Sequence, residues 1–168
     1  PAQPVTLIET LLWEPGNGYT LLDRHLDRLA DSASYFALPF DRNAVLDLLH
    51  RQDFPAQGMR VRLTLDADGP TLSAVLLPPN PAVFRFTIAP ERLDSGSLWL
   101  RHKTTNRQFY DAPRQKAHAD WGVDEVVVLN ERGELVGDPE VEVSGLPAKD
   151  AEGEAAAKKA PAKKASKK

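Results

Sequence analysis

Residues 98–107 read LWLRHKTTNR, so Lys103 ends an apolar run and is followed by two threonines. This order suits a nucleophilic amine at the edge of a pocket, with hydroxyl groups beside it. A lysine in a surface turn has the same local sequence, and both interpretations stay open. Outside residues 147–168 the chain has twelve arginines and only one other lysine, Lys116. Arginine cannot act as such a nucleophile, although chance also explains a lysine at this position.

Upstream of this stretch the sequence predicts one strand and two helices. Residues from Val5 to Trp13 are apolar and compatible with a strand. Apolar residues at helical spacing predict an amphipathic helix from Leu22 to about Ala37. Asp41 is a predicted N-cap for a second helix that reaches about Gln52.

Strands dominate the middle of the chain. Alternation and a Gly-Pro turn predict a hairpin with arms Met59–Asp66 and Thr71–Leu77. After a proline-rich break, Val83–Ala89 is a predicted strand, and Glu91–Ser97 is a predicted loop.

A helix and a hairpin are predicted after the lysine. The helix runs from Arg107 to Ala119, with Pro113 as a kink or a late start. The hairpin pairs a strand at Asp124–Leu129 with a return strand at Glu134–Val136. This mixture of hairpins and helices predicts an α+β fold rather than a doubly wound parallel sheet.

Charge separates the end of the chain from the rest. Residues 147–168 hold seven lysines and three acids without a large apolar side chain, which predicts a disordered tail. The remaining residues hold 14 basic and 21 acidic side chains, which argues against a nucleic-acid-binding core. The tail alone could bind nucleic acid through phosphate charge, but a solvated tail is the simpler interpretation.

Several classes of site and location are disfavoured by composition. The chain has no cysteine, and its four histidines have no metal-ligand spacing, so we predict no metal site. His25 is expected to be a packed, hydrogen-bonded residue on the apolar side of the first helix. No run of eighteen apolar residues and no secretory start are present. The expectation is a cytoplasmic protein without membrane association.

Four segments together carry a family resemblance. They are LIETL at residues 7–11, LLDRHLDRL at 21–29, HKTTNR at 102–107 and DEVVVLNERGEL at 124–135. In this order and spacing they resemble the class IV (fold-type IV) aminotransferase-like family of pyridoxal-phosphate (PLP) enzymes. The similarity is to the aminodeoxychorismate lyase type, as in the lyase domain fused to aminodeoxychorismate synthase component I. It covers roughly residues 5–137.

The resemblance implies a cofactor, two site residues and a domain arrangement. PLP would bind covalently to Lys103, which would also move the substrate proton, and Arg28 would bind the cofactor phosphate. Residues 1–97 would form a small α+β domain, and 98–146 would form the beginning of an incomplete large domain. The implied reaction converts 4-amino-4-deoxychorismate to 4-aminobenzoate and pyruvate, in folate biosynthesis. A homodimer or a partner chain is also implied.

The sequence also departs from the family pattern. Gly137 stands where the family has the glutamate that pairs with the PLP ring nitrogen, and Leu12 stands where a basic residue is frequent. The second half of the family fold is missing. Two alternatives therefore stay open beside the lyase: a branched-chain or D-amino-acid transaminase, and a truncated, non-catalytic binding or assembly module. We expect little or no lyase turnover from this chain alone.

Overall fold

The computed structural model describes residues 4–79 and 82–136. These two ranges contain seven strands, three α-helices and a short 3₁₀ helix at Leu98–Leu100. In chain order the strands and α-helices are β1 (Leu7–Glu14), β2 (Gly18–Tyr19), α1 (Leu22–Tyr35), α2 (Arg42–His50), β3 (Met59–Asp66), β4 (Gly69–Leu76), β5 (Phe86–Leu93), α3 (Gln108–Trp121), β6 (Glu125–Asn130) and β7 (Leu135–Val136).

The first sheet is antiparallel, with the strand order β2-β1-β3-β4. In β3 buried and exposed residues alternate, because successive side chains of a strand point to opposite faces. The buried face is apolar and continues across to β1, where Leu7 pairs with Leu65 and Leu11 pairs with Val61. The hairpin of β3 and β4 is the one predicted from the sequence.

Helices α1 and α2 pack on this face, and together they form the main core. Leu26 and Leu29 of α1 and Val45 and Leu49 of α2 are fully buried in it. Helix α2 begins as predicted, because the Asp41 side chain accepts hydrogen bonds from the second and third amides that follow it, at 2.9 and 3.2 Å.

The second sheet has the order β5-β6-β7. Strands β5 and β6 are parallel and α3 connects them, whereas β6 and β7 form a hairpin. A small core lies between α3 and this sheet, formed by Ala89, Ala117, Val126 and Val128. The antiparallel first sheet, the two helices on it and this second unit confirm the predicted α+β class.

The predicted boundaries of β5 and α1 are wrong. Strand β5 begins at Phe86 rather than Val83 and continues to Leu93, so Glu91–Leu93 is strand and not loop. A register shift between Ile88 and Arg92 takes Pro90 out of the ladder, which lets the strand resume beyond a proline. Helix α1 ends at Tyr35, because Ala37 adopts the left-handed backbone conformation (φ 53°).

The predicted domain limits stay predictions. Strand β5, which precedes residue 98, pairs with β6, which follows it. The tail at 147–168 and Gly137 lie outside the described residues. None of the helices in the described ranges has the length and apolarity needed to cross a bilayer.

Candidate active site

The segment that carries Lys103 lies against the edge of β1. We call residues 101–107 the lysine loop. The amide of Ile8 donates a hydrogen bond to the carbonyl oxygen of Lys103 at 3.0 Å, and the amide of Thr105 donates to the carbonyl oxygen of Thr6 at 2.9 Å. Between them, Thr104 forms an antiparallel bridge with Leu7. The main chain at Lys103 is therefore tied to the sheet, independently of the lysine side chain.

Thr104 holds the shape of the loop. Its side chain is buried (2% exposed), and its hydroxyl oxygen accepts a hydrogen bond from the amide of Asn106 at 3.1 Å. Arg107 follows at the N-cap of α3, with its guanidinium 5.8 Å from the ring centre of Tyr110. Lys103 itself is half-buried.

His102 connects the lysine loop to the end of α1. Its Nδ1 lies 3.0 Å from the hydroxyl oxygen of the buried Ser32. Its ring packs on Tyr35 and Phe36, with centroid distances of 4.5 and 4.9 Å. Burial, and next the charge of Arg101, lower the pKa of His102. A neutral ring suits this aromatic setting, so His102 acts as a packed contact between the loop and the helix.

A buried carboxylate lies on the core face of β1. Glu9 is 1% exposed and pairs with Leu63 of β3 on the same face as Leu7 and Leu11. A charge at such a position is stable only when it is paired and hydrogen-bonded. The partners come from one face of α1, three residues apart: His25 and Arg28. We call Glu9, His25 and Arg28 the Glu9 cluster.

Arg28 contacts Glu9 with two donors. Its Nε donates to Oε1 at 2.7 Å and its Nη2 donates to Oε2 at 2.6 Å. His25 Nδ1 donates to Oε2 at 2.8 Å. The side chain of His25 is 14% exposed and that of Arg28 is 37% exposed. The packed, hydrogen-bonded His25 expected from the sequence is confirmed.

Lys103 acts on the same carboxylate. Burial raises the pKa of Glu9, but hydrogen bonds from Arg28 and His25 and the charges of Arg28 and Lys103 outweigh it. The net pKa of Glu9 lies below its ordinary value. Of the two residues singled out from the sequence, Arg28 bonds this carboxylate directly, and Lys103 bonds Ile8, next to Glu9 in β1, through its main chain. Their roles toward a cofactor stay predictions.

Glu9 was not singled out from the sequence. The available signal was a carboxylate at an inward position of an otherwise apolar strand, together with His25 and Arg28 at one helix face. Glu134, close to the family glutamate position but out of register, bonds to Asn130 and Arg132 in the β6–β7 turn. No cluster of three potential metal ligands occurs among the residues that the structure describes.

Several solved structures are similar to this chain. A proposed amino-acid aminotransferase from Mesorhizobium loti has 36% identity and a TM-score of 0.69, over 78% of this chain and 65% of that chain. A hypothetical aminotransferase from Mycobacterium tuberculosis, with α-ketoglutarate and PMP bound, has 26% identity and a TM-score of 0.55, over 77% and 54%. A proposed 4-amino-4-deoxychorismate lyase has 24% identity and a TM-score of 0.67, over 78% and 56%.

The chain thus spans between about half and two thirds of the length of these relatives. At 24% identity the likeness to the lyase shows the fold only. Comparison with curated proteins finds no significant match. The family described as amino-transferase class IV matches residues 6–137, which include β1, α1 and the lysine loop. This chain therefore belongs to the class IV aminotransferase family.

Proposed function

We propose that this chain binds PLP, with Lys103 bonded to the aldehyde carbon and Arg28 in contact with the phosphate. The observation that carries the proposal is that Arg28 bonds Glu9 of β1, while the main chain of Lys103 bonds Ile8, the neighbouring residue of the same strand. The relative from M. tuberculosis holds PMP, the aminated form of the same cofactor.

The residues present fit the reactive parts of PLP. The aldehyde requires a primary amine, and Lys103 supplies one on a loop whose main chain is fixed to β1. The phosphate suits an arginine, whose planar donors match its oxygens. Arg28 is 37% exposed, so its side chain stays partly accessible while Nε and Nη2 hold Glu9. The position expected to face the ring nitrogen, Gly137, lies outside the described residues.

When bound, PLP supplies an electron sink that makes a C–H bond next to the substrate nitrogen more acidic. The residues of this chain bind and orient the reacting groups and transfer the proton. Lys103 takes and returns a proton at its Nζ, and Arg28 holds the anionic end of the cofactor. The contacts of residues 103–105 to residues 6–8 fix the main chain from which the amine extends. A position fixed in this way favours proton transfer by avoiding reorientation.

Our first candidate reaction is the lyase reaction, conversion of 4-amino-4-deoxychorismate to 4-aminobenzoate and pyruvate. Its support is the order of the four sequence segments that resemble the aminodeoxychorismate lyase type. Lys103 removes the ring proton, pyruvate leaves, and the ring becomes aromatic. The substrate contains every atom of the two products, so no oxidant or reductant is needed.

A second candidate is amino-group transfer between an amino acid and a 2-oxo acid, including branched-chain or D-amino acids. The observation that favours it is the 36% identity with the proposed amino-acid aminotransferase from M. loti. It uses the same lysine for the same kind of proton transfer, so the site geometry serves both reactions.

One experiment separates these functions. Purified protein with PLP is offered 4-amino-4-deoxychorismate in one arm, and a panel of amino acids with 2-oxoglutarate in the other. Formation of 4-aminobenzoate, lost in Lys103→Ala, supports the lyase, whereas formation of glutamate, lost in the same variant, supports the transaminase. If PLP binds through Lys103 without either product, the chain is a non-catalytic binding module. If PLP does not bind, the proposed function is wrong.

A further inference from the structure

We infer that Glu9 is a positioning residue, whose buried carboxylate fixes the orientation of the Arg28 guanidinium so that the arginine can meet an anionic phosphate. The inference rests on the proposed function, because it assigns Arg28 to the cofactor phosphate. Glu9 itself would not touch the cofactor. It would act through Arg28.

The first argument is the geometry of the contact. Glu9 uses the Nε and Nη2 donors of Arg28, at 2.7 and 2.6 Å. An arginine has five N–H donors in a rigid plane. Fixing two donors of a planar group fixes the direction of the others. A flexible side chain is thereby restricted before any ligand arrives, which lowers the entropy lost on binding.

The second argument is the cost of placing the carboxylate there. Glu9 is 1% exposed and shares its face with leucines, a position where an apolar side chain would pack without any charge. Breaking one partner from a buried ion pair is strongly unfavourable, whereas an apolar replacement of the whole pair is frequently neutral or stabilising. Stability alone therefore gives no reason for this carboxylate. Orientation of Arg28 does give one.

The third argument is how the hydrogen-bond donors are shared between the two carboxylate oxygens of Glu9. Oε2 accepts from both Arg28 Nη2 and His25 Nδ1, and Oε1 accepts from Arg28 Nε. His25 thus adds a third hydrogen bond to the carboxylate that Arg28 pairs with. Because the two donors lie three residues apart on α1, one helix face fixes the carboxylate in a single orientation.

The test measures orientation and phosphate recognition separately, in the folded chain and without turnover. The first readout is hydrogen exchange of the Arg28 Nε proton by NMR, assigned by its loss in Arg28→Lys. In the wild type we expect slower exchange than for the exposed Arg24. The second readout is the ratio of the dissociation constants of pyridoxal and PLP, which isolates the phosphate contribution.

Glu9→Gln is the main variant and Glu14→Gln, on the same strand, is the matched control. We expect Glu9→Gln to remove the slow exchange and to reduce the pyridoxal-to-PLP ratio at least about threefold, as for one lost hydrogen bond. Glu9→Asp, which keeps the charge, should restore part of the ratio. Glu14→Gln should leave both readouts unchanged.

The inference is overturned if Glu9→Gln keeps the wild-type ratio. It is also overturned if the Arg28 Nε proton of the wild type exchanges as fast as that of Arg24, a measurement that does not require the variant to fold. Equal affinities of the wild type for PLP and pyridoxal would instead refute the phosphate role in the proposed function. In that case slow exchange would still show that Glu9 fixes Arg28.

Discussion

The carbonyl oxygen of Lys103 accepts a hydrogen bond from the amide of Ile8 at 3.0 Å, which ties the lysine loop to β1 through the main chain. A main-chain contact survives the loss of a side chain. The position of residue 103 is therefore set by the fold and does not depend on the presence of a lysine there.

Lys103→Ala should accordingly fold as the wild type does, with a change of about 1 kcal/mol or less in the free energy of unfolding. It should lose covalent PLP. Borohydride reduction of the PLP-treated protein, followed by peptide mapping, checks this. Lys116→Ala is the control, because Lys116 bonds only to Asp120 within the described residues. Label on Lys116 with none on Lys103 would refute the assignment.

Arg28→Ala should weaken PLP binding about tenfold to a hundredfold, the value of a charge-assisted hydrogen bond. Arg24→Ala, at an exposed position of the same helix, should change it less than about threefold. Titration with PLP below the melting temperature of both variants measures the difference. Equal affinities of the two variants would remove Arg28 from the site.

The pH dependence of stability should report on Glu9. Its pKa is lowered in the folded state, so its contribution to stability is complete above the unfolded pKa. That contribution is lost as the pH falls through the folded pKa. Between about pH 5 and pH 3 the wild type should therefore lose stability more steeply than Glu9→Gln. Urea unfolding at several pH values measures both slopes, and parallel curves would contradict the prediction.

Thr104→Val should reduce the free energy of unfolding by roughly 0.5–1.5 kcal/mol. The substitution keeps the volume of the buried side chain and removes the acceptor for the Asn106 amide. Thr105→Val is the neighbouring control, since Thr105 is exposed and bonds Thr6 through its main chain. Its effect should stay within about 0.5 kcal/mol. A smaller loss for Thr104→Val than for Thr105→Val would show that the hydroxyl does not hold the loop.

Elements with strong periodicity were predicted well from the sequence. Strand β3 alternates strictly, and α2 has a capping aspartate, so their bounds follow from local rules. Strand β5 was misplaced because Pro90 resembles a terminator in isolation. Only the pairing with β6 shows that a bulge carries the strand past it.

The site was predictable in part. Family resemblance assigned roles toward PLP to Lys103 and Arg28, and these stay predictions, whereas the packing of His25 was predicted from its place on a helix face. The role of Glu9 could not be read from β1 alone, because a strand sequence does not say which helix covers it. The contact with Arg28 depends on the packing of α1 on the sheet, which is tertiary information.

The hydrogen bond between Ile8 and Lys103 also bears on the order in which parts of the chain fold during synthesis. The first sheet and its two helices need only residues up to Leu76, so they can pack while residue 103 is still in the ribosome. During that interval Glu9 and Arg28 can already pair, but the amide of Ile8 cannot yet bond the carbonyl oxygen of Lys103. Closing a contact between such distant residues is slow compared with local pairing. We therefore expect residue 103 to join β1 after the first sheet and its two helices have formed.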